Sequence, residues 1–245
     1  MNLALPPRLA DALYDELRTV KHLLKTEELN RFRENVRRGY VPNYDEEWAA
    51  FSYLYFGVNY LKTFFALKHL PTPNSGELRL LDLGCGAGAS TAGAVTALGS
   101  WLSIPGRHLK ITAVDRNRNQ LMVYKRLLRD WIDSLENVAF ETHLSDALDF
   151  LDSSEFRWDA VLCSYILEEQ STRKREALIE KLKLFAERGA DIIVIGSSQA
   201  SGSAVVEFLK PAYSSFPIVL ENSHINLRKV PRLNREVQPM YAAKH

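Results

Sequence analysis

The chain has 245 residues, of which 46% are hydrophobic and 25% are charged, and its formal net charge is +1. These proportions are typical of a globular protein with one large domain, or one domain and a small appendage. The balanced charge gives no overall case for binding a nucleic acid. No apolar run approaches the roughly 18–20 residues that cross a bilayer, and the first residues lack the pattern of a secretory signal. We therefore expect a cytoplasmic protein without a membrane segment.

The two cysteines, Cys85 and Cys163, are too few for a disulfide framework or a cysteine zinc site. Both fall in apparent core segments, which favours an interpretation as small buried residues. The histidines show no metal-ligand spacing with Cys, Asp or Glu. We expect no bound metal.

The first 70 residues predict a helical region. Leucines recur at helical spacing between Leu9 and Leu24, a polar helix is expected over 27–38, and Asn43 is typical of the N-cap of a third helix. That third helix is crowded with aromatic residues, which favours burial on more than one side. We expect residues 1–70 to pack on the main domain and to cover the substrate site as a lid.

Three residues of the aromatic helix are candidates to contact a substrate: Tyr55, Asn59 and Tyr60. His224 is a fourth candidate, because it follows a predicted strand and terminal loops can approach a substrate. Simple core packing is the alternative for the aromatic rings.

Residues 71–245 alternate apolar strands with amphipathic helices, which indicates a mostly parallel sheet covered on both faces. The five clearest strands are Leu78–Leu83, Leu109–Val114, Val138–His143, Ala160–Ser164 and Asp191–Gly196. Residues 218–220 and the tail near Met240 are expected to supply two more. The predicted fold is therefore α/β and doubly wound, with a seven-stranded sheet and an N-terminal helical extension.

Three alternating glycines, Gly84, Gly86 and Gly88, follow the first predicted strand. Glycine tolerates positive φ and lets a ligand lie on the backbone, and the next helix offers free amide groups at its N-terminus. The segment therefore predicts a cradle for a nucleotide or a related cofactor. It also satisfies a loose dinucleotide fingerprint, Gly84-x-Gly86-x-x-Ala89, so a nicotinamide or flavin cofactor stays open at this point.

Three aspartates near the ends of successive strands help to identify the cofactor. The Asp82 carboxylate can reach an ammonium group over the loop, and Asp115 can accept both hydroxyls of a ribose. Asp146, with the amide of Ala147, can hold an adenine edge. Asp115 lies farther from the glycines than the roughly 20 residues of the dinucleotide fingerprint. Each acid also fits a helix N-cap or a turn.

The segment Asp82-Leu-Gly-Cys-Gly-Ala-Gly88 resembles the first motif of the class I S-adenosylmethionine-dependent methyltransferases. Val114-Asp115, Ser145-Asp146-Ala147 and Trp158–Tyr165 resemble their ribose-binding acid, adenine-binding segment and fourth motif. The resemblance spans about residues 78–200 in the family's order, and it implies a Rossmann-like fold with S-adenosylmethionine as cofactor. The cofactor-binding residues that it implies are Asp82, Gly84, Cys85, Gly86, Gly88, Asp115, Arg116, Asp146, Ala147 and Ser164.

The segment that leaves the fourth strand, Cys163–Gln170, is where such an enzyme aligns its acceptor and removes a proton if one must leave. Ser164 and Tyr165 are candidates to orient the acceptor, and Glu168 or Glu169 is a candidate to accept the proton. The acids there fit the start of a helix equally well. The segment lacks the Asn-Pro-Pro-Tyr and Asp-Pro-Pro-Tyr signatures of amino-group methylation of bases.

A narrower resemblance involves 53–60 and 164–169, which are similar to the methyltransferase-like family linked to mitochondrial small-ribosomal-subunit assembly. That family usually carries a cysteine cluster for a metal or iron–sulfur site, and this chain has two cysteines. The sequence favours methyl transfer to an oxygen, nitrogen or carbon of a small molecule, an RNA or a protein. The alternatives are an S-adenosylmethionine-binding assembly or regulatory factor without turnover, and a nucleotide-dependent oxidoreductase. The acceptor and the oligomeric state are left open.

Overall fold

The computed structural model describes residues 5–19, 26–37, 42, 45–68, 76–154 and 157–196. Three helices come first: α1 (Pro7–Thr19), α2 (Thr26–Arg37) and α3 (Asp45–Lys68). Strands and helices then alternate as β1 (Glu77–Leu83), α4 (Ala89–Ala97), α5 (Gly99–Leu102), β2 (His108–Asp115), α6 (Arg118–Ile132), β3 (Val138–Leu144), α7 (Ala147–Ser153), β4 (Ala160–Ser164), α8 (Ile166–Glu169), α9 (Thr172–Glu187) and β5 (Asp191–Ile195).

The strands form one parallel sheet in the order β3-β2-β1-β4-β5. Strands β1, β2 and β4 are buried along most of their length, which explains why they appear as nearly continuous apolar runs in the sequence. The strand order reverses between β1 and β4. In open α/β sheets, ligands bind in the crevice beyond the carboxyl ends of the strands at such a point.

The expected strand positions are confirmed to within one residue at each end. The part of the chain that the structure describes contains five strands rather than the seven expected. The segments expected to supply the other two, residues 218–220 and the tail near Met240, lie outside it, as does Asn43. The helical stretch after the glycine loop is divided into α4 and α5, because Gly99 weakens helix continuity at the junction.

The N-terminal helices share one core with the sheet. Leu9 and Leu13 of α1 and Phe56 and Leu61 of α3 are buried in one cluster with residues of β1 and β2. Burial of an aliphatic or aromatic side chain of this size stabilises the fold by about 1.5–3 kcal/mol. None of the helices in the described part of the chain is long and apolar enough to cross a membrane.

Helices α3 and α4 approach each other closely at Gly93. A Cβ atom at this position would lie 2.5 Å from the Tyr60 carbonyl oxygen and 2.9 Å from Cβ of Thr63. Helix α4 is made of small residues, and all of its residues from Ala89 to Val95 are buried. The small side chains of α4 therefore let α3 lie directly against it.

The substitution Gly93→Ala is expected to destabilise the protein by about 1–3 kcal/mol, because the added methyl group must displace the α3 backbone. Urea denaturation measures the change. Gly99→Ala is the matched control, since a Cβ at Gly99 meets no atom within 4 Å. Equal stability of the two variants would contradict the close packing of α3 on α4.

Candidate functional site

The glycine loop, residues 84–88, connects β1 to α4 at the point where the strand order reverses. Gly84, Gly86 and Gly88 have φ angles of 67°, 53° and 88°, which side chains disfavour. The Gly84 and Cys85 N–H groups donate to the carbonyl oxygen of Val114 at 2.8 and 3.1 Å. These bonds hold the loop against the end of β2.

Asp82 lies beneath the loop and is fully buried. The Thr91 hydroxyl donates to Asp82 Oδ2 at 2.7 Å, and the Tyr124 hydroxyl donates to Thr91 Oγ1 at 3.1 Å. The second oxygen, Oδ1, has no hydrogen-bond partner in the described part of the chain. Burial raises the pKa of Asp82 from 3.8 to about 7; the Thr91 hydrogen bond opposes the increase and the nearby charge of Asp115 adds to it.

Asp115 ends β2 and faces the loop from the other side. Its Oδ2 accepts the Gly86 N–H at 2.9 Å, and its Oδ1 accepts the Asn117 N–H at 2.7 Å. Burial raises the pKa of Asp115, whereas these two hydrogen bonds and the charge of Arg116 lower it in part. A carboxylate accepts about four hydrogen bonds, so Asp115 keeps capacity for two hydroxyl groups of a ligand.

Asp146 is engaged differently from Asp82 and Asp115. Its Oδ1 accepts the Leu148 N–H at 3.0 Å as the N-cap of α7, and its Oδ2 accepts from Lys174 Nζ at 3.0 Å. Burial raises the pKa of Asp146, but the hydrogen bonds from Lys174 and Leu148 outweigh this effect, so that the pKa is lowered overall. Asp146 therefore has N-cap geometry, and the next residue, Ala147, is buried.

Gln120 is a site residue that the sequence analysis missed. It lies in the first turn of α6 and is buried, and neither polar atom of its amide has a hydrogen-bond partner in the described ranges. Its Oε1 lies 3.6 Å from where a Cβ of Gly86 would be. The available signal was a polar residue within the otherwise apolar buried face of α6, which includes Leu121 and Tyr124.

The segment after β4 also meets the loop. The Ile166 side chain lies 3.1 Å from where a Cβ of Gly84 would be. Ser164 Oγ is buried without a partner among the described residues. Tyr165 has a φ of 62°, the only positive value at a non-glycine position in the described part of the chain. The candidates Ser164 and Tyr165 directly precede the residue that contacts the glycine loop, whereas nothing is described of the Glu168 side chain.

A second residue that the sequence analysis missed is Lys62 of α3. Its Nζ donates to the Tyr165 hydroxyl oxygen at 2.6 Å and to the Gly196 carbonyl oxygen at 3.0 Å. Lys62 and Tyr165 are 103 residues apart in the chain, and no local pattern marks the pair.

Three of the four substrate candidates lie on α3. Tyr60 is fully buried in the core, and its backbone packs on Gly93 of α4, a placement that does not fit contact with an acceptor. Tyr55 is half-buried and packs on Phe51 at 4.8 Å between ring centroids. The Asn59 carbonyl oxygen accepts from the Thr63 hydroxyl. His224 lies outside the described residues.

Both cysteines are buried and free. Burial raises the pKa of the Cys85 thiol well above its ordinary value, and the charges of Asp82 and Asp115 raise it further. Thiolates are the reactive form of cysteine, so Cys85 is unsuited to nucleophilic attack. Within the described ranges, no group of three or more His, Cys, Asp or Glu side chains could hold a metal ion.

The chain matches no protein-family model and no curated protein. It is similar to PKMT2 from Rickettsia typhi in complex with AdoHcy, with 19% identity over 67% of this chain and a TM-score of 0.38. It is also similar to an rRNA methylase from Streptococcus thermophilus, with 17% identity over 61% of this chain and 76% of that chain and a TM-score of 0.39. A DhpI–SAM–HEP complex is 17% identical over 81% of this chain and 75% of that chain, with a TM-score of 0.42.

The chain spans 23% and 34% of the length of the two PKMT2 chains that it matches. Two of the three structures contain AdoHcy or SAM.

The buried Asp82 predicts a pH dependence of stability. Its pKa rises from 3.8 to about 7 on folding, so the native protein binds this proton more tightly than the unfolded chain does. The contribution to stability is complete below about pH 4 and is lost as the pH rises through about 7. The burial-raised pKa of Asp115 acts in the same direction.

The variant Asp82→Asn mimics the protonated carboxyl and is expected to flatten this dependence. Urea denaturation of both proteins between pH 4 and pH 8 measures it: the unfolding free energy of the wild type should fall relative to that of the variant. Parallel curves across this range would show that Asp82 is ionised without cost.

Proposed function

We propose that this chain binds S-adenosylmethionine in the crevice beyond β1 and β4 and transfers its methyl group to an oxygen, nitrogen or carbon atom of an acceptor. One observation carries the proposal. Several of the buried polar atoms without partners in the described part of the chain belong to residues that border this crevice: Asp82 Oδ1, the Gln120 amide and Ser164 Oγ. Each unpaired buried group costs about 1–3 kcal/mol. Their concentration at one crevice favours a polar ligand that completes them.

The donors and acceptors of the crevice match the parts of S-adenosylmethionine. The unpaired oxygen of Asp82 suits the ammonium group, and the remaining lone pairs of Asp115 suit the two ribose hydroxyls. A cation beside Asp82 favours its ionised form, which offsets the effect of burial on this carboxyl. Gly84 and Gly86 leave the loop surface open for a ligand that lies on the backbone.

We assign the adenine to the start of α7, with Asp146 and the amide of Ala147. Lys174 Nζ lies 3.0 Å from Asp146 Oδ2. The adenine amino group must therefore replace Lys174 as the partner of this oxygen. The ion pair is at the surface, where such pairs contribute about 0–1 kcal/mol. Replacing Lys174 by an adenine amino group therefore costs little.

When bound, S-adenosylmethionine supplies a methyl group on a positively charged sulfur. The protein's task is to align an acceptor with this group and to exclude water. We propose that Ser164 and Tyr165, at the end of β4, orient the acceptor. We propose that α3, and with it residues 1–70, forms one wall of the acceptor site, because Lys62 of α3 contacts Tyr165.

The substitution Asp115→Ala is expected to weaken the binding of S-adenosylmethionine by about 1–3 kcal/mol, since the ribose hydroxyls lose a buried acceptor. Isothermal titration calorimetry measures the dissociation constant, which should rise by roughly 5- to 150-fold. Asp130→Ala is the matched control, because Asp130 is an exposed acid on α6. Unchanged affinity of Asp115→Ala would refute the ribose assignment.

The same titration separates the proposed function from its alternatives. Tighter binding of NAD than of S-adenosylmethionine by the wild type would favour an oxidoreductase. Binding of S-adenosylmethionine without formation of S-adenosylhomocysteine, when RNA, protein and metabolite pools are supplied, would favour an assembly or regulatory factor. Binding with turnover supports the methyltransferase.

The substitution Gln120→Leu separates a ligand contact from core packing. Removing an unpaired buried amide is expected to leave the stability of the free protein unchanged or higher. The affinity for S-adenosylmethionine should fall several-fold, because a polar partner of the ligand is lost. Urea denaturation and calorimetry on the same preparation give both values. A variant that binds as tightly as the wild type would make Gln120 a core residue only.

A further inference from the structure

Tyr165 is held in an unusual backbone conformation by several contacts. Its φ of 62° is disfavoured for a residue with a side chain. Its N–H donates to the Ile195 carbonyl oxygen at 2.7 Å, and the next residue, Ile166, packs on Gly84. Strained residues that persist in this way cluster at functional sites. The strained backbone therefore marks Tyr165 as a candidate functional residue.

Lys62 supplies that hydroxyl with a cationic partner from another part of the chain. Its Nζ is 2.6 Å from the Tyr165 hydroxyl oxygen and 5.0 Å from the ring centroid. The same Nζ donates to the Gly196 carbonyl oxygen at 3.0 Å. Lys62 therefore joins α3 to the segments that leave β4 and β5, and both of these segments leave the sheet at its carboxyl edge.

We propose that Lys62 is a positioning residue that fixes the Tyr165 hydroxyl at the carboxyl edge of the sheet and stabilises its phenolate, so that Tyr165 takes a proton from the methyl acceptor. This inference rests on the proposed function. A cation that donates a hydrogen bond to a phenol oxygen favours the ionised form of the phenol.

The described contacts of Tyr165 other than Lys62 come from its own segment, from the end of β5 and from the glycine loop. Helix α8 contributes the Glu169 N–H, which donates to the Tyr165 carbonyl oxygen, while the Glu169 side chain is exposed. The end of β5 contributes the Ile195 carbonyl oxygen, which accepts the Tyr165 N–H, and the Gly196 carbonyl oxygen, which accepts from Lys62. The glycine loop meets this segment at Gly84, on which Ile166 packs. Asp82, the acid beneath the loop, is hydrogen-bonded to Thr91 instead.

The proton transfer balances within the proposed reaction. The acceptor atom forms a bond to the methyl carbon while the carbon–sulfur bond breaks and leaves its electron pair on sulfur. The proton of the acceptor atom passes to the Tyr165 oxygen, whose negative charge it neutralises. Lys62 keeps its charge throughout and holds the oxygen in place.

Tyrosine labelled with ¹³C at Cζ reports the ionisation of each phenol by NMR. The chain has 10 tyrosines, and the Tyr165 signal is identified by its absence in Tyr165→Phe. In the wild type, we expect the titration midpoint of Tyr165 to lie at least one pH unit lower than in Lys62→Met, a tenfold change in the phenolate ratio. An ordinary tyrosine titrates near about pH 10.

Two further variants serve as controls for the charge and for the position of Lys62. Lys62→Arg retains the cation and should keep a lowered midpoint even if Lys62→Met unfolds. Lys68→Met, at an exposed position at the end of the same helix, should leave the midpoint unchanged. The same midpoint in the wild type and in Lys62→Met, or an ordinary midpoint in both the wild type and Lys62→Arg, overturns the inference.

Calorimetry with S-adenosylmethionine on these proteins separates the role of Lys62 from the proposed function. Binding together with a lowered Tyr165 midpoint supports both. Binding with an ordinary midpoint overturns the role of Lys62 and leaves the proposed function standing. A lowered midpoint without any binding overturns the proposed function, and the proton-accepting role with it.

Discussion

Three N–H groups of the glycine loop donate to the last two residues of β2. Gly84 and Cys85 share the Val114 carbonyl oxygen, and Gly86 donates to the Asp115 carboxylate. Because β1 and β2 are adjacent parallel strands, these bonds fix where the loop leaves the sheet. The other parts of the site depend on that position: the buried carboxylate beneath the loop, the first turn of α6 beside it and the segment after β4 in front of it. A shift of the loop would separate them all.

Helix α3 has two roles that a single element rarely combines. Its apolar residues, among them Phe56 and Leu61, belong to the same core as the sheet, and its backbone lies against Gly93 of α4. The same helix carries Lys62 to the carboxyl edge of the sheet. Tight packing on one face therefore sets the position of a charged group on another with little freedom, which is what a residue that orients a hydroxyl requires.

The sequence by itself determined the fold class, the strand positions and the location of the loop. Parallel strands buried on both faces must be apolar throughout, and the turn needs glycines at positive φ, so both leave local patterns. The expected approach of Asp115 to the loop follows from the same logic, since the ends of neighbouring parallel strands meet at one edge of the sheet. Asp146 shows the limit of local patterns, because an N-cap and a ligand-binding acid look alike in sequence, and the structure shows the N-cap with Lys174 attached.

Only the tertiary structure decided which polar groups face one another across the crevice. Gln120 resembled one more residue of an amphipathic helix until its amide was found buried beside Gly86 without a partner in the described part of the chain. Tyr60 belonged to an aromatic helix whose buried and exposed faces could not be separated, because nearly the whole circumference is apolar. Lys62 and Tyr165 are 103 residues apart, and their contact arises because α3 packs on α4 while β4 ends at the glycine loop. Local sequence encodes periodicity and turn chemistry; long-range packing alone places side chains from distant segments within hydrogen-bond distance.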